Sequence, residues 1–81
     1  MLTYTVIEAD DFEDLPAWMR AEMARTQMRV DDVARALGVS KSAVSQWRNG
    51  RRRIGVDTLL RLTRLFGYRV ELRRMYEVAH V

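Results

Sequence analysis

The sequence of 81 residues has no cysteine, one proline and one histidine. Without cysteine the chain has no disulfide, thiolate metal site or catalytic thiol, and this fits a reducing compartment. No apolar run approaches the length of a transmembrane helix, about 20 residues. The acidic start lacks the basic residues of a signal or transit peptide. We therefore expect one small cytoplasmic domain with no membrane partner, metal or cofactor; the lone His80 is a poor candidate for catalysis or metal binding.

Charge is unevenly distributed along the chain. Residues 1–19 contain five acidic residues and no basic one, a balance of −5. Residues 20–81 contain all 14 basic residues and six acidic ones, a balance of +8, so that the sum is the net charge of +3. A basic body favours a polyanionic partner. Thirteen of the basic residues are arginine, which binds phosphate through a planar fork, although a GC-rich genome would give the same bias.

Residues 30–50 predict two short helices joined by a tight turn. The first helix, residues 30–37, has an apolar stripe made of Val33, Ala34 and Leu37. Gly38 suits a helix end because glycine adopts positive φ without steric cost. Ser40 can cap the second helix with its hydroxyl. The spacing therefore predicts a helix–turn–helix arrangement.

The second of these helices, about residues 41–49, divides into an apolar face and a polar face. Its apolar stripe consists of Ala43, Val44 and Trp47. The polar residues are Lys41, Ser42, Ser45, Gln46 and Arg48, and Asn49-Gly50 ends the helix. A buried stripe opposite lysine, serine and glutamine side chains is what a helix needs to read base edges in the DNA major groove.

Two further helices are predicted on either side. The first begins with Asp14 as its N-cap, tolerates Pro16 in its first turn and runs to Arg25 or Thr26. Its apolar stripe is Leu15, Trp18, Met19 and Met23. The last helix spans Val56 to Phe66, ends at Gly67 and is apolar on more than one face, so that part of it could lie in a subunit interface.

The segments outside the helices have distinct compositions. The loop 50–55 is basic and is interpreted as a set of phosphate contacts rather than a solvated connector. Residues 10–14 are acidic and read as a linker anchored by Phe12, or as an arm that contacts the basic DNA face or a partner. Residues 2–7 and about 68–76 predict short strands. These strands could pair within one chain, across a dimer, or both; the continuous sheet across a dimer leaves the fewest open edges.

The helix–turn–helix stretch closely resembles that of lambda-repressor-like proteins, which include phage repressors and xenobiotic-response-element regulators. The matching residues are Ala34, Gly38, Val39, Val44, Trp47 and the closing Asn49-Gly50, and the resemblance covers about residues 15–67. It implies a mainly α fold, a helix-turn-helix bundle of four helices. With the short β-strands predicted at the N- and C-termini, we expect one domain of residues 1–81. The strand after the last helix resembles that of antitoxin-type relatives.

The resemblance also implies a function. We expect a sequence-specific regulator of repressor type, which binds double-stranded DNA as a homodimer on an inverted repeat. The expected base-reading residues are Lys41, Ser42, Ser45 and Gln46. The expected backbone contacts are Arg29, Ser40, Arg48, Asn49, Arg51, Arg52 and Arg53. The expected dimer contacts are Tyr68, Val70 and Leu72.

The sequence departs from the family at two places. Relatives cap the second helix with Thr or Ser and follow it with Gln, where this chain has Arg29 and Val30. Relatives also commonly pair an Arg of the first helix with a Glu before the closing Asn-Gly, where this chain has Met23 and Arg48, so both ends of that pair are expected to be absent. An alternative function is an antitoxin or phage accessory regulator that also binds a protein such as a toxin. An enzyme is least favoured, because the sequence has neither a His/Cys/Asp cluster nor a glycine-rich phosphate loop.

Overall fold

The computed structural model describes residues 12–72, 74 and 76. Over these residues the chain forms four helices, which are α1 (Leu15–Thr26), α2 (Val30–Leu37), α3 (Lys41–Arg48) and α4 (Val56–Leu65). The predicted bundle of four helices is confirmed, with helix bounds that agree to within one residue. Residues 2–7 and His80 lie outside the described residues, and so does the predicted N-terminal strand.

Local capping explains where the helices begin and end. Asp14 accepts a hydrogen bond from the amide of Ala17 at 3.0 Å and starts α1, and Ser40 accepts from the amide of Ala43 at 3.1 Å and starts α3. Gly38 ends α2 at φ +68°, as predicted. The end of α1 was not predicted in this form: Gln27 adopts a left-handed conformation at φ 58°, a position that glycine usually fills.

The start of α2 follows a different rule from the one that relatives use. The side chain of Arg29 does not cap the helix, so the loss of the usual Thr or Ser cap is real. The carboxylate of Asp32 instead accepts from the backbone amide of Arg29 at 2.8 Å. This is one half of a capping box, and it places an acidic side chain at the positive end of the helix dipole.

The core lies where α1, α2, α3 and α4 meet. Most residues of the predicted apolar stripes are buried in it, together with Leu62 of α4 and Phe66 at its end: Trp18, Met19, Met23, Val33, Ala34, Leu37, Ala43, Val44 and Trp47. Leu15, which was predicted for the stripe of α1, is only half-buried. Phe12 packs edge-to-face on Trp18 with ring centroids 5.3 Å apart, so the predicted anchor is confirmed. Ile54 is also buried and was not predicted. On α4, Val56 and Leu60 remain exposed.

Three arginines donate to backbone carbonyls at the ends of other helices, and we call them the helix-end arginines. Arg20 of α1 donates to the carbonyl oxygen of Arg48 at 2.8 Å. Arg25 of α1 donates to Phe66 at 2.6 Å, and Arg61 of α4 donates to Leu37. Each places a positive charge at the negative end of a helix dipole and satisfies a carbonyl that has no partner within its helix.

The chain that leaves α4 is fixed to α1 by a polar cluster. The hydroxyl of Tyr68 donates to Oε1 of Glu22 at 2.7 Å, while Arg25 donates to Oε2 from Nε at 2.9 Å and from Nη2 at 2.6 Å. Glu22 is buried, so both carboxylate oxygens need these partners. The guanidinium of Arg25 also lies 5.6 Å from the ring centroid of Tyr68.

The predicted C-terminal strand is not confirmed in the single chain. The described residues 68–72, 74 and 76 carry no regular secondary structure. Of the three expected dimer contacts, Tyr68 packs on the core, but Val70 is 49% exposed and Leu72 is 99% exposed. None of the four described helices covers Val70 and Leu72, and the pairing of this segment, within one chain or across a dimer, stays a prediction.

Candidate nucleic-acid interface

The orientation of α3 follows from its buried stripe. Ala43, Val44 and Trp47 are buried, and the side chains on the other faces of the helix are therefore directed away from the core. Lys41, Ser42, Ser45 and Arg48 are exposed, and Gln46 is half-buried. The structure thus brings the four predicted base-reading residues together on the outer surface of one helix.

Two of the predicted base-reading residues contact each other. Gln46 donates from Nε2 to the hydroxyl oxygen of Ser42 at 3.0 Å, one helical turn away. This bond restricts the rotamer of the glutamine side chain before any ligand is present. The amide keeps its oxygen and its second N–H, and this donor and acceptor are the pair that adenine N6 and N7 require.

Lys41 is also partnered, but in a looser way. Its ammonium group lies 3.3 Å from Oδ2 of Asp31 in α2, and the two side chains are 70% and 55% exposed. An exposed ion pair of this kind contributes only about 0–1 kcal/mol, so Lys41 can exchange Asp31 for a guanine or a phosphate at small cost. Sequence analysis did not predict this pair.

The loop after α3 is fixed by hydrogen bonds before its basic residues and by a buried side chain after them. The backbone amides of Arg51 and Arg52 donate to the carbonyl oxygen of Gln46 at 2.9 and 3.1 Å, and Asn49 Oδ1 accepts from the Arg51 amide at 3.0 Å. Gly50 makes this turn at φ +80°, which glycine adopts without strain. Buried Ile54 anchors the other side.

This anchoring presents three consecutive guanidinium groups from an ordered backbone. The side chains of Arg51, Arg52 and Arg53 are exposed. Arg52 and Arg53 line an open groove together with Glu13, which belongs to the segment before α1. The arrangement suits polyanion binding, and the negative charge of Glu13 partly offsets the positive charge of Arg52 and Arg53.

The remaining predicted backbone contacts have mixed surroundings. Arg29 and Arg48 are exposed beside the ends of α2 and α3. Ser40 and Asn49 are exposed, but each already uses its side-chain oxygen within the chain, Ser40 as a cap and Asn49 in the loop. Both side chains keep hydrogen-bond donors, and phosphate oxygens can accept hydrogen bonds from them.

The residues that sequence reasoning missed are mostly arginines. Arg20 joins the groove at the end of α3 and lines it together with Arg29 and Arg48. One weak indication of a role for Arg20 was present in the sequence. Arg20 lies on the predicted first helix, three residues before Met23, and Met23 aligns with the Arg that relatives pair with a Glu. The described residues contain no His, Cys, Asp or Glu group suited to a metal ion, and no described helix is long and apolar enough to cross a membrane.

A buried-stripe helix, a glycine turn and a second helix with a polar outer face define a helix-turn-helix motif. A helix-turn-helix family model matches residues 17–72, which is more than half of the chain. The chain therefore belongs to the lambda-repressor-like helix-turn-helix family, a family of DNA-binding regulatory domains. Comparison with curated proteins and with solved structures found no match.

Proposed function

We propose that this protein is a sequence-specific transcriptional repressor that binds double-stranded DNA with α3 in the major groove. The observation that carries the proposal is the outer surface of α3, where Gln46 is already bonded to Ser42 beside exposed Lys41 and Ser45. The polar side chains of Ser42 and Gln46 can donate to and accept from base edges, and lysine can donate to guanine O6 and N7. The proposal includes a cytoplasmic location and no enzymatic activity.

The basic residues around α3 supply affinity rather than specificity. Arg51, Arg52 and Arg53 follow α3 directly and are exposed on a held loop. Backbone contacts of this kind fix the register of a protein on the duplex and carry no direct sequence information. Ser40, Asn49, Arg29 and Arg48 complete the proposed set of backbone contacts.

A homodimer is the proposed binding form. A two-fold dimer places two recognition helices about 34 Å apart, one turn of DNA, and therefore matches an inverted repeat. Val70 and Leu72 follow the polar cluster of Tyr68, Glu22 and Arg25, and both are exposed. A segment in which apolar and charged residues alternate can pair with the same segment of a second chain. Tyr68 itself is bonded to Glu22 within one chain, so it would brace the interface rather than cross it.

Selection of bound sequences from random duplex DNA tests the proposal. We expect an enriched motif made of two inverted half-sites. Two variants are selected in parallel. Gln46→Ala should lose part of the motif, and Arg64→Gln, at an exposed position of α4, is the control and should select the parent motif. Recovery of no enriched sequence would overturn sequence-specific binding. An enriched motif without inverted symmetry would overturn the dimer on an inverted repeat.

Deletion of residues 69–81 tests the dimer. This truncation keeps Tyr68 and its bond to Glu22, so the helical bundle retains the contacts of the polar cluster. We expect light scattering to give the mass of a dimer for the parent and of a monomer for the truncated chain, with weaker operator binding. A truncated chain that stays dimeric would place the dimer contacts elsewhere, with exposed Val56 and Leu60 of α4 as the next candidates.

A second candidate function is an antitoxin or phage accessory regulator that also binds a protein. The observation that favours it is the exposure of Val70, Leu72 and Tyr76, three large apolar side chains in the segment after α4. The truncated chain separates the two functions. If the chain without residues 69–81 remains dimeric and binds DNA normally, this segment serves neither dimerisation nor DNA binding, which favours a role in binding a protein partner.

A further inference from the structure

Three arginine side chains from separate parts of the fold line one open groove. Arg20 comes from the middle of α1, Arg29 from the residue before α2, and Arg48 from the end of α3. The groove has a volume of about 410 Å³, and Met23 and Met28 contribute apolar surface to it. We call it the arginine groove.

The arginine groove has an unbalanced charge. Among residues 12–72, the ones that line it are Arg20, Met23, Ala24, Gln27, Met28, Arg29 and Arg48, and none of these is acidic. Like charges brought together in this way repel one another, and a bound anion removes that repulsion. The groove contrasts with the one at Arg52 and Arg53, which Glu13 also lines.

The donors in the arginine groove are suited to a tetrahedral oxyanion. A guanidinium group has five N–H donors in a fork that fits phosphate oxygens. Arg20 uses Nη1 for the carbonyl of Arg48, and most of its donors remain for a ligand. That same bond fixes the Arg20 side chain beside the end of α3, so one of the three charges is positioned in advance.

We propose that the arginine groove binds a phosphate group, with Arg20 as a third ligand besides Arg29 and Arg48. Arg48 belongs to α3, and Arg29 precedes α2, so a duplex that lies on α3 brings its sugar–phosphate backbone close to the groove. The assignment of the ligand to DNA rests on the proposed function. Binding of a phosphate group as such does not.

The first test is a titration of the full chain with inorganic phosphate, with chloride at matched ionic strength as the reference. The readout is the set of arginine Nε–Hε signals in nitrogen–proton NMR spectra. We expect saturable shifts for Arg20, Arg29 and Arg48 and not for Arg64. Arg29→Gln is the principal variant, because the Arg29 side chain does not cap α2, and it should weaken phosphate binding several-fold. Arg64→Gln is the matched control and should leave it unchanged.

The second test separates a DNA phosphate from a free phosphate ion. Single methylphosphonates, which remove the charge of one phosphate each, are placed along the selected duplex. We expect one position in each half-site to weaken binding of the parent roughly tenfold. The same position should have little effect on Arg29→Gln, because the groove has already lost its ligand contact there.

The outcomes are distinguishable from failure of the proposed function. Saturable phosphate shifts in a protein that selects no DNA sequence support the groove and overturn the proposed function. Phosphate shifts without a methylphosphonate position that couples to Arg29 support a free phosphate ligand and overturn the DNA assignment. Shifts that are absent, or identical in Arg29→Gln and the parent, overturn the arginine groove as a phosphate site, even if the protein selects DNA.

Discussion

The guanidinium of Arg20 donates from Nη1 to the backbone carbonyl oxygen of Arg48 at 2.8 Å. This bond joins the middle of α1 to the last residue of α3. Relatives commonly join these two helices by an Arg–Glu ion pair, and this chain has Met23 and Arg48 at the aligned positions. Met23 is buried in the core, and Arg20 makes the connection between the helices through a main-chain acceptor.

Replacement of Arg20 by Gln should lower the free energy of unfolding. The change removes a hydrogen bond and a positive charge at the C-terminal end of α3, and we expect a loss of about 0.5–1.5 kcal/mol. Thermal and urea unfolding monitored by circular dichroism measure it. Arg64→Gln is the control for loss of charge on the surface. Equal stability of Arg20→Gln and Arg64→Gln would contradict a structural role for this bond.

Tyr68 and Glu22 should be coupled in stability. A double-mutant cycle of Tyr68→Phe and Glu22→Gln should give an interaction energy of roughly 0.5–3 kcal/mol, because the two side chains share one hydrogen bond at a buried carboxylate. Chemical unfolding of the four proteins measures it. Effects that simply add would show that the hydroxyl contributes nothing through Glu22.

The same cluster predicts a dependence on alkaline pH. Burial, with the hydrogen bond to Glu22, raises the pKa of Tyr68 above its usual value of 10.0. A folded-state pKa above the unfolded value gives stability that is present below about pH 10 and is lost as the pH rises through the folded value. Tyr68→Phe should therefore show a shallower loss of stability above pH 10 than the parent. Parallel curves would contradict this shift.

Sequence reasoning predicted the helices well because their signals are local. Asp14, Ser40 and Gly38 each act within a few residues, and the apolar stripes repeat at helical spacing, so both can be read from one stretch of chain. The helix-end arginines could not be predicted in this way. Arg20 and Arg61 bond carbonyls 28 and 24 residues away, and nothing in the sequence distinguishes them from an arginine that faces solvent or phosphate.

The candidate site also has features that could be predicted from the sequence and features that could not. The polar face of α3 follows from the buried stripe of Val44 and Trp47, so its members were predictable. The bond between Gln46 and Ser42 fits their spacing of four residues, but the pair of Lys41 and Asp31 depends on how α2 packs against α3. The exposure of Val70 and Leu72 also depends on tertiary contacts, since an alternating pattern indicates a half-buried strand only where a neighbouring strand exists.

Arg52→Ala combined with Arg53→Ala should weaken binding to every DNA sequence to the same degree. Each neutralised phosphate contributes about −0.9 to the slope of log K against log salt, so the double variant should have a slope that is shallower by roughly 1–2. Fluorescence anisotropy over a range of salt concentrations measures the slope, with Arg64→Gln as control. A parent protein whose affinity does not depend on salt would contradict the proposed backbone contacts.

Asp31→Asn should strengthen DNA binding. The substitution removes a negative charge beside a proposed base-reading residue and releases Lys41 from its partner 3.3 Å away. Because the pair is exposed, we expect a gain of only a few-fold, larger at low salt than at high salt. Asp57→Asn makes the same change of charge in the first turn of α4 and does not release Lys41, so it is the control for loss of one negative charge. Weaker binding of Asp31→Asn would indicate that Asp31 orients Lys41 productively.

The outer surface of α3 is proposed to read base pairs. The most direct measurement compares the affinity of the parent and of Gln46→Ala for the selected operator and for a scrambled duplex of equal length, at one salt concentration. We expect Gln46→Ala to lose roughly 1–3 kcal/mol on the operator and almost nothing on the scrambled duplex, with relaxed preference at one or two base pairs. An equal loss on both duplexes would contradict base reading by α3 and make Gln46 a backbone contact.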